Sequence, residues 1–368
     1  MRYAHVGGGG PGAPLLAAAA ALCLLLSGCS GLPQAREMGD MALLRTMGVD
    51  ASAAGVAVTG STGPRARGLQ AEGEPALVLA ADRASLSAAC LAMQGQSDSY
   101  VFFGYVDQLL VGEALAKEGV RPVLDYFARD RELGLGAQLW LVRGAEARRA
   151  VTSGGEEGLD RRLETLRHDG DMGIASVART AGEVYTDLLE QGCAFVPALA
   201  LSGGEGPLVQ GGYGILRGEE LAGFLEGEEA RGLELLYGGP CGHVLDLALG
   251  DEGTAVRILS ARTKSSLELR GEDLIALKVD CKVEARLTEY RDPPGEGELE
   301  RIGSLVEARE RARIEGALER LRAWGTDCTG LGAEAAMARP AQWQALREDW
   351  PERFAQVPIE IQVEVRIR

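Results

Sequence analysis

From Leu277 to Leu287 every odd position is apolar and every even one is charged: Leu-Lys-Val-Asp-Cys-Lys-Val-Glu-Ala-Arg-Leu. A strand turns successive side chains to opposite faces, so this stretch reads as one long strand with a dry face and a wet face. On a helix the same apolar residues would be scattered around the whole circumference. Ile359, Ile361, Val363, Val365 and Ile367 repeat the pattern against Glu360, Gln362, Glu364 and Arg366. Between the two, Leu299, Ile302, Val306, Ile314, Ala317, Leu318, Leu321 and Trp324 mark one stripe of a long amphipathic helix over Glu296 to Trp324, separated from the first strand by Pro293-Pro294-Gly295. Strand, long helix and strand predict a compact α+β domain at the C-terminus, whose helical stripe is core packing.

The rest of the chain alternates short strands and helices, the pattern of mixed sheets flanked by helices. Extended segments are expected at Leu43–Asp50, Gly55–Thr59, Tyr100–Phe103, Gln108–Val111 and Gln138–Val142. Helices are expected at Arg83–Gln94, with Leu86, Ala89, Cys90 and Met93 inside, at Glu113–Lys117 before Gly119, and at Val123–Ala128 after Pro122. Gly60–Pro75 reads as an exposed loop, residues 144–170 as a charged Gly-rich stretch, and Ile174–Leu189 as a helix with Val177, Ala181, Val184 and Leu188 on one face. Leu199–Leu201, Gly212–Leu216 and His243–Leu249 follow as apolar segments, with Glu219-Glu220-Leu221 a polar helix or turn. The fold class is therefore α+β and multi-domain, with mixed or antiparallel sheets. The expected division is 1–28 removed on export, 29–195 an N-terminal α/β-type domain, 196–253 a small middle domain and 254–368 the C-terminal domain.

The first residues carry one firm positive charge, Arg2, then an uninterrupted apolar run from Leu15 to Leu26. A membrane-spanning helix needs about 20 such residues, so this shorter run reads as the core of an export signal. Leu26-Ser27-Gly28-Cys29 closes it in the pattern of a bacterial lipobox: small residues fit the peptidase, and the Cys29 thiol takes diacylglycerol before cleavage makes it the new N-terminus. Cys29 is the expected lipid-attachment residue and Leu26, Ser27 and Gly28 its recognition sequence; against the alternative of an ordinary signal with an incidental cysteine stand Leu at −3, Ser at −2 and Gly at −1. Two or more acyl chains hold a protein stably, at about 0.8 kcal/mol per buried CH₂. Charge would not help, because the chain carries −16, and losing Arg2 with residues 1–28 makes it −17. Such a chain is repelled by nucleic acid and by anionic headgroups.

Little in the composition points to a reaction. Of 38 basic residues only four are lysine (Lys117, Lys264, Lys278 and Lys282), and asparagine is absent, a bias of codon usage type rather than of mechanism. Beyond Cys23 and Cys29, five widely spaced cysteines (Cys90, Cys193, Cys241, Cys281 and Cys328) show no C-x-x-C; they read as buried free thiols, with one or two disulfides as the alternative. His168 and His243 have no metal-spaced neighbours in sequence, and no G-x-S-x-G, H-E-x-x-H or phosphate loop is present. Gly211-Gly212-Tyr213-Gly214 lacks the third glycine of a nucleotide cradle and reads as a strand-edge turn. Acid pairs such as Glu156-Glu157 and Glu228-Glu229 suit a solvated acidic surface. No catalytic, cofactor or metal residue is expected.

In the order of its features the chain resembles the Ger(x)C family, the lipoprotein C subunits of spore nutrient-germinant receptors. After the lipobox, AREMGDMALLRTMGVD (Ala35–Asp50) is similar to the family's opening, an Arg-Glu motif and an apolar run ending in Gly-x-Asp. YVFFGYVDQLLVGEALAKEGVRPVLDYFARD (Tyr100–Asp130) carries the aromatic-Phe-Gly core, Gly112-Glu113, the Ala116–Gly119 stop and Arg129-Asp130. GGYGILRGEELAGFLEGEEARGLELLYG (Gly211–Gly238) and RPAQWQALREDWPERFAQVPIEIQVEVRIR (Arg339–Arg368), with Trp343, Trp350 and Phe354, complete the likeness. Two departures stand out: Ser30 where an aromatic residue commonly follows the lipidated cysteine, and Tyr105 where histidine is usual. The resemblance implies a non-enzymatic, cofactor-free subunit, lipid-anchored on the outer face of the spore inner membrane, with the membrane-embedded A- and B-type receptor subunits as partners. The alternative is an extracytoplasmic solute-binding lipoprotein of a transporter, which would usually show two larger α/β lobes.

Overall fold

In a computed structural model of the chain, the described residues are 41–64, 74–171, 177–204, 206–249, 252–271, 273–290 and 295–368. From Ala42 onward they belong to one compact unit. Eight strands build its first sheet: β1 (Thr46–Ser52), β2 (Gly55–Ser61), β3 (Val78–Arg83), β4 (Gln108–Gly112), β5 (Gln138–Arg143), β6 (Cys193–Leu201), β7 (Leu208–Arg217) and β8 (Glu220–Leu225). Their spatial order is β8-β7-β6-β5-β4-β1-β2-β3. The four central strands run parallel and the two outer pairs antiparallel. Parallel strands covered by helices on both faces must be apolar throughout, and Gln108–Gly112 is buried at every residue.

On one face lie α1 (Leu86–Gln94), α2 (Glu113–Glu118), α3 (Arg121–Arg129) and α6 (Ala181–Glu190), against Leu109, Val111, Leu139 and Leu141. On the other, α4 (Ala147–Thr152) and α5 (Asp160–Asp171) close over Leu110, Trp140, Val142 and Leu199. The expected buried stripe of α1 is the observed one: Leu86, Ala89, Cys90 and Met93. Four expectations change. Gly60 and Ser61 end β2 and are buried with Thr62 and Gly63, while 65–73 lie outside the described residues. The charged stretch after residue 144 folds into α4 and α5, and Glu220-Leu221 opens strand β8. The helix expected from Ile174 starts only at Ala181. There Thr180 and Glu183 form a reciprocal capping box, and the preceding backbone is held by Leu139 N–H donating to the Arg179 carbonyl (2.8 Å) and Val177 N–H donating to the Tyr213 hydroxyl (2.6 Å).

The sheet continues through Phe195 and Val196 into β7 and β8, and α7 (Gly227–Tyr237) then leads to the second sheet. That sheet has β9 (Gly239–Pro240), β10 (Val244–Leu249), β11 (Glu252–Arg270), β12 (Asp273–Glu289) and, after α8 (Glu296–Trp324), α9 (Leu331–Met337), α10 (Pro340–Leu346) and α11 (Trp350–Gln356), the last strand β13 (Ile359–Ile367). β11 and β12 form a long antiparallel hairpin, β13 joins β12 in parallel, and β10 pairs with β11. The strand–long helix–strand expectation holds, α8 and β13 at the expected bounds. From Leu277 to Leu287 the odd residues of β12 point into a core shared with α8 and with Phe195, Tyr213 and Ile215 of the first sheet. The even residues from Lys278 to Arg286 lie on the opposite, wet face, and nearer the hairpin turn the alternation slips, with Ile275 exposed and Ala276 buried.

Candidate functional site

Where a parallel sheet meets helix N-termini, at the carboxyl ends of its strands, α/β proteins commonly seat anionic ligands. Here Asp50, near the end of β1, fills that place: its Oδ1 accepts from Ala147 N–H (2.7 Å) and its Oδ2 from Arg148 N–H (2.9 Å), the first turn of α4. Burial pushes this carboxyl above the usual range, and the two donated bonds work against that. Glycines make the approach possible. A Cβ on Gly112 would overlap Asp50 Oδ1, and one on Gly48 would stand 3.0 Å from Val151 and 3.1 Å from Ala147. Glu113 then ties α2 to the next strand end, accepting from Gly144 N–H (2.7 Å) and from Lys117 Nζ (2.6 Å). Gly48-x-Asp50 and Gly112-Glu113 thus act as one packing station.

The aromatic segment has a similar role. Tyr100 donates its hydroxyl to Glu132 (2.8 Å), and the other Glu132 oxygen accepts from Phe103 N–H (3.2 Å). Asp130 turns the chain by accepting from Glu132 N–H and Leu133 N–H at 2.8 and 3.1 Å. Phe102 packs edge-to-face on Tyr105 at 5.8 Å, leaving the Tyr105 ring exposed. Gly212 lies inside β7, not in an edge turn: its φ is +83°, and a Cβ would overlap the Leu225 carbonyl oxygen, so the glycine serves a bulged strand.

A cavity of about 1090 Å³ opens between the β7–β8 turn (Arg217, Glu219, Glu220), the end of α6 and the helices α9–α11. Trp343 and Trp350 meet edge-to-face at 5.1 Å on its wall. The buried carboxylate there, Asp327, accepts from Leu331 N–H (2.9 Å), Gly332 N–H (2.7 Å) and Trp350 Nε1–H (2.9 Å). Both oxygens are therefore occupied, one capping α9 and the other gripping both α9 and Trp350. Burial pushes Asp327 up to about 6, against the donated bonds. Its geometry is that of a structural clasp; a general base would need a free oxygen toward the cavity.

His243 is buried with Nε2 3.1 Å from Glu310 Oε1, an oxygen that also accepts from Arg313 (2.8 Å). Arg313 in turn holds Glu228 of α7 through two bonds, at 2.7 and 3.2 Å. This chain of polar contacts locks α7, α8 and the residue before β10 together. His243 and Glu310 are far apart in sequence, which hid the pair from spacing arguments. Among the described residues no cluster of three His, Cys, Asp or Glu could hold a metal. The five cysteines Cys90, Cys193, Cys241, Cys281 and Cys328 are free and buried. Burial pushes their thiols up, to about 11 for Cys90 and Cys281 and about 12 for Cys193 and Cys241, so they stay protonated and unreactive at neutral pH.

The lipobox Leu26, Ser27, Gly28 and Cys29 lies outside the described residues, as does the His168 side chain. No helix among the described residues is long and apolar enough to cross a membrane. Asp50 was visible in sequence only as the end of a motif. Asp327 carries a faint signal, a carboxylate four residues ahead of the helix start at Leu331.

Two family models match the chain: the spore germination protein N-terminal domain over residues 34–201 and the spore germination B3/GerAC-like C-terminal domain over residues 211–368. Among solved structures, one described as the crystal structure of the GerBC protein is similar at a TM-score of 0.59 with 18% identity, covering 88% of this chain and 97% of that one. No curated protein matches the chain.

Proposed function

Because the chain belongs to the Ger(x)C family of spore germination proteins, the C subunits of germinant receptors, we propose that it is a lipid-anchored, non-catalytic subunit docking on membrane-embedded A- and B-type subunits. Its place in this reading is the outer face of the spore inner membrane, held by diacylglycerol on Cys29. The observation that carries the anchor is the lipobox Leu26-Ser27-Gly28-Cys29 at the end of a short apolar run. The packing stations described above support a scaffold role: the residues that carry the family likeness, Asp50, Gly112, Glu113, Tyr100 and Asp130, join one element to another. The subunit acts by contact, its rigid body stabilising the assembled receptor.

Cys29→Ala tests the anchor. The expected result is loss of the protein from the membrane fraction and slower germination on nutrient. Unchanged receptor level, membrane location and germination would overturn it. Equilibrium dialysis of the protein against nutrient amino acids tests the docking role, since tight direct binding would mark a solute receptor instead.

A further inference from the structure

The wet face of the second sheet departs from the rest of this acidic molecule. Reading across β11, β12 and β13, its rows are Arg257–Arg286, Ser260–Glu284–Arg366, Arg262–Lys282–Glu364 and Lys264–Asp280–Gln362, with Arg368 ending β13 beside Glu284. These rows hold seven basic residues and three acidic ones, an excess of four positive charges in a chain of net −16. They cover about 20 Å along the strands and about 10 Å across them. All of the basic residues except half-buried Arg257 are exposed; Asp246 of β10 borders them on one side, and Glu268 and Glu360, around Lys278, on another.

Two features of this patch work against stability. Arg257 stands directly opposite Arg286, and Arg262 directly opposite Lys282, and like charges in facing positions destabilise a sheet. Lys282 is relieved by Glu364 at 2.9 Å and Arg368 by Glu284 at 2.9 Å. Arg257, Arg262, Lys264 and Arg286 make no ion pair among the described residues. Folding therefore gives no reason for their placement, in a sequence with 54 acids available to neutralise them. A shallow cavity of about 510 Å³, lined by Arg262, Lys264, Lys282, Asp280 and Glu364, lies at the centre of the patch. Lys278, one row nearer the hairpin turn, is neutralised by Glu268 at 2.8 Å and Glu360 at 3.7 Å, so the uncompensated charge is confined to the rows above.

We infer that the β11–β12–β13 face is the side turned toward an anionic phospholipid bilayer, the Arg262–Lys264–Lys282 hollow seating a headgroup phosphate. The charge complementarity favours a dense anionic surface, and a broad open sheet face suits a bilayer better than a single acidic peptide. The positive face sets orientation: the remainder of the molecule, more acidic still, is pushed from the same surface. The inference leans on the lipid-anchor reading only for what holds the protein near a bilayer.

The lysines provide the test. The lipidated protein is placed on vesicles of phosphatidylcholine alone or with about 40% phosphatidylglycerol, labelled briefly with a water-soluble amine-acylating reagent, and read by mass spectrometry at Lys264, Lys282 and, as an internal control, exposed Lys117 on α2. Labelling of Lys264 and Lys282 should fall about threefold or more on the anionic vesicles while Lys117 is unchanged. The protection should vanish at about 1 M salt, where the screening length is about 3 Å. Arg257→Gln/Arg286→Gln should weaken it. Equal labelling on both vesicles, or equal protection of Lys117, overturns the inference, as does protection by a soluble acidic protein but not by vesicles. Flotation of the protein with the neutral vesicles reports the anchor separately, so failure of one reading does not masquerade as failure of the other.

Discussion

Gly232 of α7 and Gly316 of α8 lie where these two helices cross, and the same substitution should have opposite effects at them. Neither has a positive φ, so alanine is allowed at both and gains about 1 kcal/mol of helix propensity. At Gly232, however, a Cβ would overlap the Arg313 carbonyl oxygen and come within 2.6 Å of its carbon and 2.9 Å of Ala317 Cβ. A backbone carbonyl cannot swing aside as a side chain can, so the helices must part by about 1 Å. A gap of that size forfeits a quarter to a half of each contact's dispersion energy. The contacts at stake are those of Leu233, Leu236, Ile314, Ala317 and Leu318, all buried. Overpacking costs of about 1–3 kcal/mol, and more where backbone is struck, then exceed the propensity gain. Gly232→Ala should be destabilised by about 2 kcal/mol net. At Gly316 a Cβ would meet only Glu229 Cγ at 3.9 Å, so Gly316→Ala should be stabilised by up to about 1 kcal/mol. Urea unfolding followed by tryptophan fluorescence measures both, because Trp324, Trp343 and Trp350 pack against this core. A Gly232→Ala protein unfolding at or beyond the wild-type midpoint would refute the close-approach argument.

Other outcomes follow from the buried carboxylates and thiols. Asp50→Ala strands the Ala147 and Arg148 N–H groups and should cost about 2–4 kcal/mol by thermal unfolding, with Asp50→Asn, which keeps one acceptor, about half as harmful. Asp327 titrates near 6 in the folded protein against about 3.9 unfolded, so the folded state holds its proton longer. Wild-type stability should therefore fall as pH rises from about 4 to about 6, by about 3 kcal/mol from this group, and the loss should be absent in Asp327→Asn; parallel pH profiles for the two proteins would contradict the assignment. Cys90, Cys193, Cys241, Cys281 and Cys328 should react with a thiol-specific chromogenic disulfide only as fast as the protein unfolds, and a rapid native-state burst from any of them would contradict their burial.

The elements legible in sequence are those whose side-chain period is unbroken. α8 and β13 keep a period of 3.6 and of two over their whole observed lengths, and β12 keeps a period of two from Leu277 to Leu287, the slip before it hiding its first four residues. β11 is as long as β12 yet shows no steady alternation, because register shifts at Ala255/Val256, Ile258/Ser260 and Glu268/Leu269 reset which parity faces the core. The start of α6 was misplaced for a different reason: Val177 and Ala181 share a helical spacing, but hydrogen bonds from Leu139 and to Tyr213 hold the backbone before Thr180 extended. Tertiary bonds there outweighed local periodicity.

By itself the sequence determined the α+β C-terminal unit, the buried stripes apart from Leu299, which α8 leaves exposed, the likeness to Ger(x)C proteins and the expectation of a lipid-bearing Cys29, since each rests on residues adjacent or evenly spaced along the chain. Only the tertiary structure decided that Asp50 fills a helix N-terminus, that Asp327 clasps α9 to Trp350, that His243 meets Glu310, and that Arg257, Arg262, Lys264, Lys282 and Arg286 gather on one face. Those pairings join residues far apart in sequence, or cross strands whose register the bulges of β11 set. A linear pattern fixes which face a side chain takes; which partner stands opposite is fixed when the sheets and helices close on one another.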